Sequence, residues 1–256
     1  MSLNGLILCL SMACLILSVA LCSNGTYAAE KGKGVRIRNF GHACFLIESL
    51  SSGTTVLIDP YSGLDYPDFK VEADIVLMSH EHFDHNSLDK VKGKPEIIHG
   101  LAKEGKDWNK IDRKIRDVKI RAFPSYHDKK KGADRGKNTI FVVNIGGLSI
   151  AHLGDLGHVL EKKDAEKLSG IDILLVPVGG FYTIEPEEAD EIASLLKPHI
   201  LIPMHYKTKG SARLPIKSLD VFLKGKKNVE MVNSSVYVVS PDKLPKEMKI
   251  VALEPR

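Results

Sequence analysis

The 256-residue sequence predicts one layered α/β domain behind a separate N-terminal segment. Short apolar, β-branched runs recur along the chain. A few amphipathic stretches fall mostly in its later half, and histidines and aspartates sit just past the ends of several runs. A composition of 43% hydrophobic and 27% charged residues suits a globular chain with a core. The formal net charge of +4 is too slight to argue for nucleic acid, and no nucleic-acid partner is expected.

In chain order, residues 1–29 come first. No charged residue precedes Glu30, Leu6 to Cys22 is almost wholly apolar, and Thr26-Tyr27-Ala28 offers a small-x-small cleavage pattern. The segment reads as a signal peptide or N-terminal anchor, with export to a periplasmic or extracellular location expected. Positive charge follows the apolar run, at Lys31, Lys33, Arg36 and Arg38, which keeps a cytoplasmic-facing anchored body as the alternative. Membrane contact is expected only through this segment. Three of the four cysteines lie within it, so a chain matured near Ala29 keeps Cys44 alone and has no internal disulfide.

Residues 30–256 carry the folded domain. Strands are expected at Val35–Arg38, Cys44–Glu48, Thr55–Ile58, Ile75–Met78, Val118–Phe123, Thr139–Asn144, Leu148–His152, Ile173–Val178, Ile200–Pro203 and Val236–Val239. Helices are expected in parts of four stretches, Leu101–Arg116, Leu160–Leu168, Pro186–Leu196 and Ile216–Lys224. Pro186 suits a first helical position, and Glu187 and Glu188 meet the positive end of the helix dipole.

The strongest motif is Ser79-His80-Glu81-His82-Phe83-Asp84-His85, directly after an expected strand. On extended backbone His80 and His82 point the same way and can share one ion. A turn at Phe83 lets Asp84 and His85 face a second. Imidazoles and carboxylates of this kind suit zinc, with manganese, iron or nickel as alternatives. A solvated polar loop would need chance to gather four ligand-type residues in one turn. Further donors recur past strand ends at His127, Asp155 and His205.

These residues, with Gly41-His42-Ala43, Leu57-Ile58-Asp59-Pro60, Gly154-Asp155, Pro177-Val178-Gly179-Gly180 and Ile202-Pro203-Met204-His205-Tyr206, resemble the metallo-β-lactamase superfamily. The pattern is most similar to its branch of ascorbate-6-phosphate lactonase-like and N-acylphosphatidylethanolamine phospholipase D-like hydrolases. The resemblance implies a four-layer αββα sandwich with metals at one edge. It places His80, His82 and His127 on one ion, Asp84, His85 and His205 on the other, and Asp155 between them. Phe40 stands where relatives often carry Trp and is expected at a pocket wall. His42 is expected to orient a ligand or the nucleophile, though it suits a core or turn position equally well. Asp59 is expected to be a carboxylate that supports the ligands or the structure rather than a ligand itself. His99, His152, His158 and His199 are expected to make local hydrogen bonds or face solvent.

Two divalent ions can share a water and lower its pKa from about 15.7 toward about 7, giving a hydroxide nucleophile without a Ser or Cys. Asp84 or Asp155 is then placed to handle the proton. The expected reaction is hydrolysis of an ester, lactone or phosphodiester. Lys129, Lys130, Lys131, Arg135 and Lys137 follow His127, and Lys207, Lys209 and Arg213 follow His205, which points to a small anionic substrate. A merely solvated charged face is the competing reading. The second half of the chain has no cysteine to ligate metal, which disfavours a classical zinc β-lactamase. About fifty residues between Asp155 and His205 leave no room for the inserted domain of the superfamily's large nucleases. A glyoxalase-type thioesterase stays open. A di-iron redox protein is disfavoured because those relatives place a glutamate where His82 stands. A non-catalytic metal-binding protein is disfavoured because all seven ligands are present.

Overall fold

The computed structural model describes residues 32–255, so the signal or anchor segment of residues 1–29 lies outside the described residues. Among those described, no helix is long and apolar enough to cross a membrane. In Val35-Arg36-Ile37-Arg38 every second side chain is fully buried, the period-2 pattern that settles a strand with one face on a core. This strand, β1 (Val35–Gly41), is followed by β2 (Cys44–Ser49), β3 (Thr55–Ile58), β4 (Ile75–Met78) and β5 (Glu96–His99). Then come β6 (Asp112–Ile115), β7 (Val118–Tyr126), β8 (Lys137–Ile145), β9 (Leu148–His152), β10 (Ile173–Pro177) and β11 (Ile200–Met204). The last are β12 (Val229–Val232), β13 (Val236–Val239) and β14 (Lys249–Leu253).

They form a six-stranded sheet, ordered β13-β1-β2-β3-β4-β5, and an eight-stranded sheet, ordered β6-β7-β8-β9-β10-β11-β14-β12. Phe45, Ile47 and Leu77 of the smaller sheet meet Phe141, Leu175 and Ile202 of the larger in the shared core. All five residues of β10 and of β11 are buried, as parallel strands covered on both faces require. Their outer face is covered by α1 (Lys162–Lys167), α2 (Pro186–Leu196) and α3 (Leu219–Leu223). In α2 the stripe Ala189, Ile192, Ala193 and Leu196 turns inward, Pro186 opens the first turn, and the Glu188 carboxylate accepts from the Glu185 N–H at 2.9 Å.

The chain is thus an α/β sandwich, with one departure from a regular fourth layer. Over the smaller sheet, Tyr61, Tyr66 and Phe69 from coil pack on Leu57, Val76 and Met78, and no α-helix among the described residues lies there. Phe40 belongs to this aromatic layer, stacked 4.2 Å from Phe69. It therefore faces away from the expected pocket wall.

Leu101–Arg116 is not helical. Lys103, Glu104 and Gly105 take left-handed φ angles of 51°, 56° and 86°, which break a helix, and the residues around them form a two-stranded pair, Leu101–Ala102 with Asp107–Trp108. Asp112–Ile115 then pairs with β7 as a hairpin. Helices α1 and α3 lie within the stretches Leu160–Leu168 and Ile216–Lys224. Strands β5, β12 and β14 were not expected, being short and flanked by charge.

The topology sets the site. Strands β3, β4 and β5 run parallel, as do β9, β10 and β11. Asp59, His80, Asp155 and His205 all follow carboxyl ends of these strands, where open parallel sheets place their chemistry. Phe141, fully buried in the core between the sheets, should be costly to truncate. Phe141→Ala should lose about 3–5 kcal/mol, read as a lower urea midpoint with an unchanged slope.

Candidate metal centre

The site is assembled from the Asp59 carboxylate outward. Asp59 is fully buried just past β3 and accepts from the Ser79 N–H and Oγ–H at 2.7 Å each. With the Ser79 hydroxyl thus committed, its oxygen accepts from His80 Nδ1–H at 2.9 Å. His85 Nδ1–H donates at 3.0 Å to Asp59 Oδ2, the oxygen that also accepts the Ser79 hydroxyl. One anion therefore fixes two imidazole tautomers and leaves both Nε2 lone pairs facing inward. The His127 Nδ1–H donates to the Tyr182 carbonyl at 3.1 Å, with the same result. The turn at residues 83–85 is closed by the His85 N–H on the His82 carbonyl at 2.9 Å, and it carries Asp84 and His85 around from His80 and His82.

At the centre lies Asp155. Its Oδ2 is 3.1 Å from His127 Nε2 and 3.3 Å from His205 Nε2, and its Oδ1 is 3.3 Å from His85 Nε2. For His85 and His127 these are contacts between two hydrogen-bond acceptors, because each ring has already spent its proton on the opposite side. Such contacts repel unless positive charge stands between them, as a proton or a cation. Asp155 Oδ1, His85 Nε2 and His205 Nδ1 are buried without a hydrogen-bond partner. The ligand atoms of His80, His82 and His127 lie within 4.8 Å of one another, as do those of His42, His85 and His205. His80 Nε2 and His82 Nδ1 are 3.1 Å apart, close enough to share an ion at about 2.0–2.1 Å. The residues fit divalent metal.

The electrostatics agree. Burial pushes His80 and His82 below the ordinary imidazole value, so both are neutral lone-pair donors at neutral pH. Burial also opposes charge on His85, but the Asp155 and Asp59 carboxylates outweigh it and raise its pKa well above normal. Asp155 would be raised by burial, yet His205, His85 and His127 hold it well below the carboxylate range. Burial likewise works against ionised Asp84, and contact with His42 and the nearby His85 overcome it. The sealed His42 ring is pushed down to about 4 by burial and then by His205.

A cavity of about 380 Å³ opens onto this cluster, lined by His82, Asp84, His127, Asp155 and His205 with Phe83, Tyr182, Leu214 and Arg135.

A family profile described as the beta-lactamase superfamily domain matches residues 36–205. The chain belongs to the metallo-β-lactamase superfamily. Among relatives, it is 32% identical over 194 residues to a Thermococcus kodakarensis protein named a UPF0173 metal-dependent hydrolase, covering 68% of this chain and 85% of that one. A UPF0173 protein of Pyrococcus abyssi is 32% identical over 185 residues, 67% of this chain and 83% of the relative. Among solved structures, a Thermotoga maritima protein assigned to the Zn-dependent hydrolases of the superfamily is 38% identical with a TM-score of 0.68. That alignment covers 87% of this chain and all of the other.

In this superfamily member all seven residues expected to hold metal face one edge of the sandwich. Asp59 bonds His85 directly and reaches His80 through the Ser79 hydroxyl. His42 stands beside the second group, and Asp84 Oδ2 lies 3.3 Å from its Nε2. His99, His158 and His199 bond nearby groups, Glu81, Val159 and the Pro245 carbonyl. His152 is different: its Nε2–H reaches the Ala43 carbonyl at 2.8 Å and its Nδ1 accepts from the Gly154 N–H, tying the two sheets beneath the site.

The basic loop divides. Arg135 lines the cavity, lies 5.7 Å from the Tyr182 ring centre, and makes no carboxylate pair among the described residues. Lys129 pairs with Glu188 at 2.6 Å and Lys130 with Asp134 at 3.0 Å. Lys131 is exposed, and Lys137 bonds the Lys106 carbonyl above the Trp108 ring. Asp128, also buried, accepts from the backbone N–H groups of Lys130, Gly132, Asp134 and Arg135 at 2.7–3.0 Å and folds the loop around itself. Burial opposes its charge, and these four donors prevail and lower its pKa.

Sequence reasoning gave no role to Ser79, Tyr182 or Asn138, whose Oδ1 accepts from the Asp155 N–H at 3.0 Å. Ser79 adjoined the histidine cluster and was legible as a partner. The Tyr182 contact uses a backbone carbonyl and leaves no mark on the sequence.

Asp59→Asn, which keeps shape but removes charge, should weaken metal binding about 10–100-fold in chelator competition. In metal-free protein, His42 titrates near 4 folded against about 6.5 unfolded. A depressed histidine is neutral in the fold, so its stability contribution is full above about 6.5 and falls as pH drops toward 4. The stability difference between wild type and His42→Asn should therefore shift against wild type by an order of 3 kcal/mol between pH 7 and 4, measured by urea titration.

Proposed function

We propose that the chain is a metal-dependent hydrolase that cleaves an ester, lactone or phosphodiester bond in a small anionic substrate. The observation that carries this reading is the Asp155 carboxylate facing three imidazoles from three separate elements at 3.1–3.3 Å, on the floor of the cavity. His80, His82 and His127 would hold one divalent ion and His85 and His205 a second, with Asp155 between them and Asp84 alongside. Zinc suits this set of neutral imidazoles and carboxylates best. Bound there, such ions supply activated water and polarise the electrophilic oxygen of the substrate.

The chain's own residues do the rest. Asp59 and the Tyr182 carbonyl keep three imidazoles in the tautomer that presents a lone pair. Asp84 reaches the cavity as a carboxylate and can accept a proton there. Arg135, which has no carboxylate partner among the described residues, is the cation placed to bind an anionic group beside the scissile bond. Phe83, Tyr182 and Leu214 provide apolar wall for the substrate body. The volume suits a small molecule, the class for which cavities of about 300–1,000 Å³ are usual. Residues 1–29 would carry this enzyme out of the cytoplasm, and an exported chain beginning near Ala29 would establish it.

Zinc-reconstituted protein screened against phosphodiesters, lactones and thioesters should hydrolyse at least one class, lose turnover to a chelator and regain it with metal. Asp155→Asn should lower kcat at least about 100-fold. Unchanged turnover in that variant refutes the reading. Arg135→Met should raise KM for an anionic ester about 10-fold and leave a neutral ester unaffected, and reversing Lys129–Lys131 to Glu should do less.

A further inference from the structure

A second cavity, of about 230 Å³, shares His127, Asp134, Arg135 and Tyr182 with the one over the metal cluster, and Phe181 and Thr183 extend its wall. Arg135 therefore stands between the two spaces. The other charged residues of the second lining are already answered. Asp128 is held by four backbone N–H groups, Lys129 pairs with Glu188, Lys130 with Asp134, and Glu185 with Lys217 at 2.6 Å. A second ion would lose its hydration there for little return. What is left to recognise a ligand is the Phe181 ring.

That ring is held at a cost. Phe181 is 54% exposed, so it adds little to the core, and its φ of 59° lies in the left-handed region that bulky side chains rarely adopt. Gly180 before it is left-handed as well, at 65°, and the Tyr182 N–H closes the turn on the Gly180 carbonyl at 2.7 Å. Glycine at position 181 would take the same backbone without strain. Strain of this kind gathers at active sites and ligand clamps. Here it sets an aromatic ring beside Arg135, whose Cζ lies 6.0 Å from the Phe181 ring centre and 5.7 Å from that of Tyr182.

We infer that the second cavity is a subsite for a flat aryl group attached to the anionic group that Arg135 binds, and that Phe181 selects it by stacking. Both neighbours reward a π face, the ring through stacking and the guanidinium through cation–π attraction, whereas an aliphatic chain gains neither. This rests on the anionic-substrate reading above and adds what that anion carries.

The test is calorimetric binding of methylphosphonate, benzylphosphonate and cyclohexylmethylphosphonate to the zinc-loaded full chain. The three offer one anion with no further group, a flat ring and a puckered apolar ring. Wild type should bind the benzyl compound about 10-fold more tightly than the methyl and about 5-fold more tightly than the cyclohexylmethyl. Phe181→Gly, which relieves the left-handed backbone, should bring the benzyl-to-methyl ratio within about 2-fold at a urea midpoint no lower than wild type. Phe181→Tyr should retain the wild-type ratio. Equal binding of the two ring compounds by wild type, a ratio that survives in Phe181→Gly, or a fall in that variant's midpoint, which would mark the ring as packing, overturns the assignment. Wild type that binds all three alike removes the subsite and leaves the anionic-substrate reading standing. Wild type that binds none of them overturns both.

Discussion

Everything at the functional edge follows from a concentration of electron pairs. Asp155 faces three imidazole nitrogens, and on His85 and His127 the ring proton is engaged elsewhere, so like-polarity groups at 3.1–3.3 Å in a buried site cannot remain without compensating positive charge. The orienting bonds of Asp59 and the Tyr182 carbonyl create that condition. Without them the rings could rotate or change tautomer, and the cluster would relax into ordinary hydrogen bonds.

The fold makes such a concentration possible by dividing the load. The smaller sheet delivers His42, Asp59 and the His80–His85 turn, and the larger delivers His127, Asp155 and His205. No single strand carries more than a part of the site, so the centre forms only when the two sheets close. His152 and the backbone bond from His205 to His42 cross that junction close to the chemistry, coupling correct sheet packing to correct ligand geometry.

The residues differ in how far their roles could be read from the sequence. The runs Ile173–Val178 and Ile200–Pro203 were legible as strands because burial on both faces demands unbroken apolar sequence, and the structure shows them parallel and covered. The His80–His85 cluster was equally plain, since metal chemistry needs particular side chains at close spacing. Leu101–Arg116 misled because its scattered apolar residues mimic a helical stripe, while left-handed turns at Lys103 and Glu104 are invisible in residue identity. The basic loop misled differently. Sequence counts lysines without showing that Lys129 meets Glu188, far along the chain, or that Arg135 meets no such partner among the described residues. His42 was legible as a motif residue, but its burial beside Asp84, His85 and His205 is a property of packing alone.

The Asp128 loop bears on how ligands would be chosen. Four backbone N–H groups anchored on one buried carboxylate give residues 128–136 a fixed shape before any ligand arrives. Association then need not immobilise a floppy segment, and little configurational entropy is lost on engagement. A new ligand preference can arise by exchanging the side chain at position 135 while the anchor stays intact. The scaffold and the selectivity it displays are therefore separable, and drift in one does not require rebuilding the other.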